Sequence, residues 1–134
     1  MKKPVKTRNG GLWTDARYKS FITSALRKPS MRWGPRNECK KEARYHEKRP
    51  NERGRLVFHS VCDSCSSIVP ETSSAVDHIH PVIDPAIGFV DWSTYIERLY
   101  CEKDGFQVLC SDCHSEKTKK ERTIATERKR RKGT

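Results

Sequence analysis

The chain has 134 residues, of which 34 % are hydrophobic and 34 % charged, and its formal net charge is +11. So small an apolar fraction excludes a large buried core and points to one domain that needs a staple. No apolar run is long enough to span a bilayer and no signal-peptide core follows Met1-Lys2-Lys3, so a cytoplasmic protein is expected, whose positive excess suits a polyphosphate partner better than a membrane.

Residues 1–13 are basic, glycine-containing and weakly patterned, so a mobile arm is expected, docked at most by Trp13. Thr14 or Asp15 then caps a helix with Tyr18, Phe21, Ile22, Ala25 and Leu26 at helical spacing, and Pro29 falls just beyond its end. Its polar face carries Arg17, Lys19, Arg27 and Lys28, either as a solvated face or as a phosphate-contacting one. After a break at Met31–Pro35, Pro35 starts a second helix that should run to about Lys48. This helix has few apolar positions (Cys39, Ala43, Tyr45) and many basic ones (Arg36, Lys40, Lys41, Arg44, Lys48 and Arg49). A helix so polar either packs by one narrow stripe or meets a phosphate surface.

Pro50–Gly54 reads as a turn and Arg55–His59 as a short strand. Residues 66–74 form a serine-rich loop, and a strand follows from Ala75 to Val82. Asp91 caps a third helix whose stripe of Trp92, Tyr95, Ile96, Leu99 and Tyr100 reads as core. Lys103-Asp104-Gly105 is a tight turn and Phe106–Cys110 a second strand. A last helix starts near Asp112 or Cys113 and reaches about Arg131, its like-charged end, Arg128 to Lys132, expected to fray.

Two pairs carry the metal chemistry: Cys62-Asp63-Ser64-Cys65 and Cys110-Ser111-Asp112-Cys113. Paired Cys-x-x-Cys units are the signature of a tetrahedral four-thiolate zinc site, closed and therefore structural. Of the six cysteines, Cys39 and Cys101 remain, read as free, packed thiols. Between the pairs lies Val76-Asp77-His78-Ile79-His80-Pro81, and His114 directly follows Cys113. Asp77 offers a hard oxygen and His114 an imidazole, together a half-shell for a second, divalent ion. A neutral histidine, with an ordinary pKa of about 6.5, can take a proton from an attacking water. Strand alternation puts His78 and His80 on one face and Asp77 on the other, so spacing alone leaves His80 a rival base to His78. Lys117, on the same helical face as His114, is placed to grip a neighbouring phosphate.

Val76-Asp77-His78-Ile79-x-Pro81 followed by Gly105-Phe106-Gln107-Val108-Leu109-Cys110-x-x-Cys113-His114-x-x-Lys117-Thr118 resembles the HNH endonucleases, most of all the zinc-knuckle subgroup of bacteriophages. The likeness covers roughly residues 36–122 and is most specific in its second half. It implies an α+β, zinc-stapled ββα-metal core over residues 51–126, with basic arm and helices over 1–50 and a basic tail over 127–134. It implies Asp77 and His114 as ligands of a catalytic Mg²⁺, Mn²⁺ or Ni²⁺, and His78 as base. It also implies DNA as the substrate, with Lys40, Lys41, Arg44 and Lys117 among the DNA-binding residues, and a phage homing or terminase-assisted packaging role. The family's central Asn, which braces the base histidine, is replaced by Gly105 here, so Asp104 or a backbone group would have to supply the brace. Two other functions stand beside this one: a non-catalytic zinc-ribbon nucleic-acid-binding protein and an RNA-cutting relative.

Overall fold

The computed structural model describes residues 2–132. The chain divides into two units, one ending at Arg32 and the other beginning at Trp33.

In the first unit, β1 (Lys6–Arg8) pairs antiparallel with β2 (Trp13–Thr14), so the expected mobile arm is a small hairpin. The reversal is local chemistry. Asn9, Gly10 and Gly11 all take positive φ, which glycine and asparagine tolerate best, and the Leu12 N–H donates to the Arg8 carbonyl. Helix α1 (Asp15–Ser30) begins at Thr14, whose hydroxyl accepts from the Arg17 N–H at 3.2 Å. Trp13 packs on Phe21 with ring centroids 5.1 Å apart. Pro29 lies inside the last turn of α1 rather than beyond it; one missing N–H so close to the end ends the helix within a residue instead of breaking it.

The second unit opens with α2 (Gly34–Glu42), started by Pro35 in its first turn. It stops well short of Lys48. The next residues have too little apolar surface to gain by staying helical, and they give their backbone to a neighbouring strand instead. The Tyr45 N–H donates to the His59 carbonyl, and the Val61 N–H to the Ala43 carbonyl, both at 2.8 Å. Strands β3 (Arg49–Pro50) and β4 (Leu56–Val57) then form a hairpin. Its turn is held by the Asn51 side chain, which accepts from the Arg53 and Arg55 N–H groups.

Strand β5 (His59–Val61) pairs with β6 (Ile68–Pro70), so the expected serine loop contains a strand. The reversal between them carries Cys62 and Cys65. Strand β7 (Ser74–His78) ends four residues before Val82: Pro81 removes a donor, and the Ile79 N–H closes the pairing on the Gly105 carbonyl at 2.9 Å. After α3 (Trp92–Leu99), capped by Asp91 on the Thr94 N–H at 2.7 Å, comes β8 (Phe106–Cys110). β8 pairs antiparallel with β7 in the register Ala75↔Leu109, Val76↔Val108, Asp77↔Gln107, His78↔Phe106. Helix α4 (Ser111–Lys132) leaves β8 without a linker and packs on both strands.

The described core is small, as composition requires. Cys39, Phe106 and Val108 form one cluster with Trp33, Val76 and Cys101; Cys62, Leu109 and Cys110 form another with Val69 and Cys113. In the α3 stripe Tyr95 and Leu99 are buried, whereas Ile96 is 41 % exposed. The basic end of α4 stays helical to Lys132; Arg128 donates to the Pro85 carbonyl at 3.0 Å and Arg130 pairs with Glu127, which offsets the like-charge repulsion. No described helix is long and apolar enough to cross a membrane.

Candidate metal and active site

The knuckle between β5 and β6 is pinned to β8 by a contact that Cys-x-x-Cys spacing does not announce. Asp63 donates its N–H to the Val108 carbonyl at 2.8 Å and accepts the Val108 N–H on its carboxylate at 2.7 Å. This lays Cys62 and Cys65 against Cys110 and Cys113 at the start of α4. The four sulfurs lie within 4.8 Å of one another and could hold one metal ion such as zinc. A tetrahedral ion with bonds of about 2.3 Å to sulfur sets its ligands about 3.8 Å apart, and Cys65 and Cys110 stand 3.8 Å apart.

The surroundings act in opposite senses on two of the sulfurs, favouring thiolate at Cys65 and opposing it at Cys113. Hydrogen bonding from Ser67 lowers the Cys65 thiol to about 6, while Cys110 and Cys65 push Cys113 up to about 12. The Cys113 N–H, in the first turn of α4, donates to Cys110 Sγ at 3.5 Å. Cys39 and Cys101 stand apart from this cluster, in the other half of the core.

Asp77 and His114 are brought together from β7 and the first turn of α4. Asp77 Oδ1 is 3.9 Å from His114 Nε2, less than the sum of two ordinary metal–ligand bonds of about 2.1 Å each. Asp77 is nearly buried, whereas the His114 side chain is 42 % exposed, so the open side of the pair faces water. The second carboxylate oxygen is committed: Oδ2 accepts from Gln107 Nε2 at 3.1 Å and pairs with Lys117 Nζ at 2.9 Å. Gln107 stands opposite Asp77 in the β7–β8 register, and nothing in its spacing marks it from sequence as a partner of the carboxylate.

Lys117 is not positioned as the sequence suggested. Its ammonium donates to Asp77 Oδ2, to Glu121 Oε1 at 2.7 Å and to the His78 carbonyl at 3.1 Å, which uses all three of its protons inside the protein. Burial works against its charge, but Glu121 and Asp77 together raise its pKa above lysine's ordinary value.

His78 joins Asp77 through this ammonium by its backbone, while its ring lies against Phe106, centroids 4.8 Å apart. Its Nε2 sits 3.0 Å from the Leu99 carbonyl. A carbonyl only accepts, so Nε2 carries a proton, and in the neutral tautomer that this contact selects the lone pair is at Nδ1. His80 lies past the end of β7 and is exposed. Of the basic residues expected on DNA, Lys41 is exposed and Lys40 half-buried. Arg44 is engaged instead with the Glu71 carboxylate, at 3.1 and 3.4 Å.

The structure also accounts for Gly105. A Cβ there would lie 2.6 Å from Cys101 Sγ and 3.1 Å from Cys101 Cβ, so no side chain fits. Asp104 beside it is exposed. Gly105→Ala is expected to destabilise the protein by about 1–3 kcal/mol through overpacking. In a Cys101→Ala background, which removes the sulfur, the same change should cost less. Urea melts of the four proteins check this; equal costs in both backgrounds would assign the glycine to some other cause.

Compared with known proteins, the chain matches no family model, no curated protein and no solved structure.

Proposed function

We propose that this protein is a divalent-metal-dependent DNA endonuclease of the HNH type, a zinc-stapled ββα-metal nuclease. The observation that carries this is the Asp77–His114 pair, with one carboxylate oxygen tied down and the other turned to the imidazole across 3.9 Å. Asp77 and His114 would hold the catalytic ion, and Cys62, Cys65, Cys110 and Cys113 a structural zinc. The catalytic ion supplies positive charge for the phosphoryl and leaving oxygens when bound.

The chain's own groups divide the remaining work. Gln107 and Lys117 fix the Asp77 carboxylate so that only Oδ1 is offered to an ion. His78 takes a proton from water at Nδ1. The imidazolium so formed keeps its other proton on the Leu99 carbonyl, so a backbone group serves as the brace that the missing Asn would have provided. Lys40, Lys41 and the basic end of α4 meet DNA phosphates, and affinity then falls steeply with salt. A phage homing or packaging role, the latter beside a terminase, fits such an enzyme. A zinc-ribbon binder that cuts nothing has no use for a carboxylate and imidazole set face to face and opened to water.

The deciding assay incubates supercoiled plasmid, and in parallel a structured RNA, with protein and Mg²⁺, Mn²⁺, Ni²⁺ or Zn²⁺. Nicked or linear DNA with at least one ion, and none with chelator, is the expected result. Cleavage of RNA alone would move the protein to the RNA-cutting class, and binding without cleavage under every ion would leave only the zinc-ribbon function.

A further inference from the structure

Away from Asp77 and His114, the β3–β4 hairpin and the Pro70–Thr72 segment enclose a cleft of about 360 Å³ lined by Lys48, Asn51, Arg55, Phe58, Glu71 and Thr72, among others. Its volume falls within the range of about 300–1,000 Å³ usual for small-ligand sites. Phe58, in its lining, is 42 % exposed as a residue. Two cations lie over the Phe58 ring, Arg44 at 4.0 Å and Lys48 at 4.6 Å.

These cations are held differently. Arg44 is gripped by both oxygens of Glu71, the one acidic residue lining the cleft, and so cancels its charge. Lys48 and Arg55 make no ion pair among the described residues, and Lys48 is held only by the ring beneath it. Asn51 spends its carbonyl oxygen on the Arg53 and Arg55 N–H groups, which leaves its NH₂ without a protein acceptor among the described residues. The cleft therefore offers an aromatic ring that becomes available to a ligand when Lys48 swings off it, two cations without an ion-pair partner among the described residues, and one amide donor.

That set fits a ligand with a planar face and an anionic chain attached. A simple anion would leave the ring unused, and an apolar ligand would leave the cations unused. In a duplex both faces of a base are covered by its neighbours, so only an unpaired nucleotide can present a face to Phe58. The rim of the cleft also runs directly into β7, and about 10 Å of strand separates Ser74 from Asp77, the rise of about three base pairs.

We propose that this cleft is a binding site for an unpaired nucleotide, with the base stacked on Phe58 and its phosphates held by Lys48 and Arg55. The protein then engages nucleic acid beside a single-stranded flank, fork or gap. The site stands whether or not Asp77 and His114 cleave anything, because it uses none of their atoms.

The test is equilibrium binding of the full chain by fluorescence anisotropy without added divalent metal. The probes are a labelled oligothymidylate of about 12 nucleotides, the matching oligouridylate, a blunt duplex and polyglutamate. Phe58→Ala should weaken oligothymidylate binding by roughly 5- to 150-fold, the loss of one stacked base, and leave the blunt duplex unchanged. Phe58→Trp should restore it. Lys48→Gln, which removes no core contact, keeps the test decisive if Phe58→Ala does not fold; it should lower the salt slope on oligothymidylate by about 0.7. Equal losses on single strand and duplex, no loss with either variant, or polyglutamate binding as tightly as oligothymidylate would each overturn the proposal. The oligouridylate reports whether the nucleotide is taken as DNA, RNA or both.

Discussion

His78→Ala should lower plasmid cleavage by about 10²–10⁴-fold, the usual contribution of a general base, while binding of the catalytic ion survives. The split follows from where the groups are held. The ring of His78 rests on Phe106 with Nε2 on the Leu99 carbonyl, and its loss removes the lone pair at Nδ1. Asp77 and His114 owe their approach to the β7–β8 pairing and the first turn of α4, neither of which needs the His78 side chain. Asp77→Ala and His114→Ala act differently. Each removes a proposed ligand of the catalytic ion, so activity should fall with a rise in the metal concentration needed, and excess metal should recover part of it. Asp77→Ala also strips Lys117 of one of its three acceptors, so it should be the less recoverable of the two. His80→Ala should cut at close to the wild-type rate, because β7 has ended before it and the ring is exposed. A metal titration of plasmid cleavage for the four variants beside wild type reads all of this at once. Wild-type activity in His78→Ala, or an equal loss in His80→Ala, would remove His78 from the mechanism.

How far the sequence carried the fold depended on how local the cause was. The Asp91 cap, the Phe106–Cys110 strand and the start of the last helix beside Cys113 were legible, because capping chemistry and short apolar runs act within a few residues. The second helix was overextended because its end is decided by distant partners: Ala43 and Tyr45 are drawn out of the helix by Val61 and His59. The same holds within the site. Cysteine spacing and the Asp-His pair named Asp77, His114 and the four sulfurs, but not the cross-strand Gln107 or the Asp63 clasp on Val108, since register cannot be read from one strand alone. Lys117 shows the limit most plainly. Helical spacing put it on the right face, but whether its ammonium turns to phosphate or to Asp77 depends on Glu121 and the His78 carbonyl, which meet it only in the folded chain. Gly105 looked like a lost brace, and the reason for it, the sulfur of Cys101 at 2.6 Å from any Cβ, is tertiary.

Removing the metal proposed for Cys62, Cys65, Cys110 and Cys113 should unfold the second unit. Structural zinc in small domains contributes on the order of 10 kcal/mol, as much as the whole stability of a typical domain, about 5–15 kcal/mol. This core cannot make up such a loss, because one of the two buried clusters among the described residues consists of Cys62, Cys110 and Leu109, with Cys113 beside them. With the metal gone, four sulfurs within 4.8 Å of one another lose the charge that holds them together. Cys62→Ser or Cys110→Ser should therefore release the zinc and abolish the cooperative melt, and a strong chelator should do the same to the wild-type protein. Cys39→Ser and Cys101→Ser separate metal loss from loss of packing. Cys39 is buried against Phe106 and Val108 with Cys101 packed on the same cluster, so either change should lower the melting temperature yet keep one zinc per chain. The measurements are zinc content by atomic emission and a thermal melt by circular dichroism, made on the same samples. A Cys62→Ser protein without zinc that melts like wild type would show that the cluster does not hold the fold. Zinc released by Cys39→Ser would show that the ligands are other than Cys62, Cys65, Cys110 and Cys113.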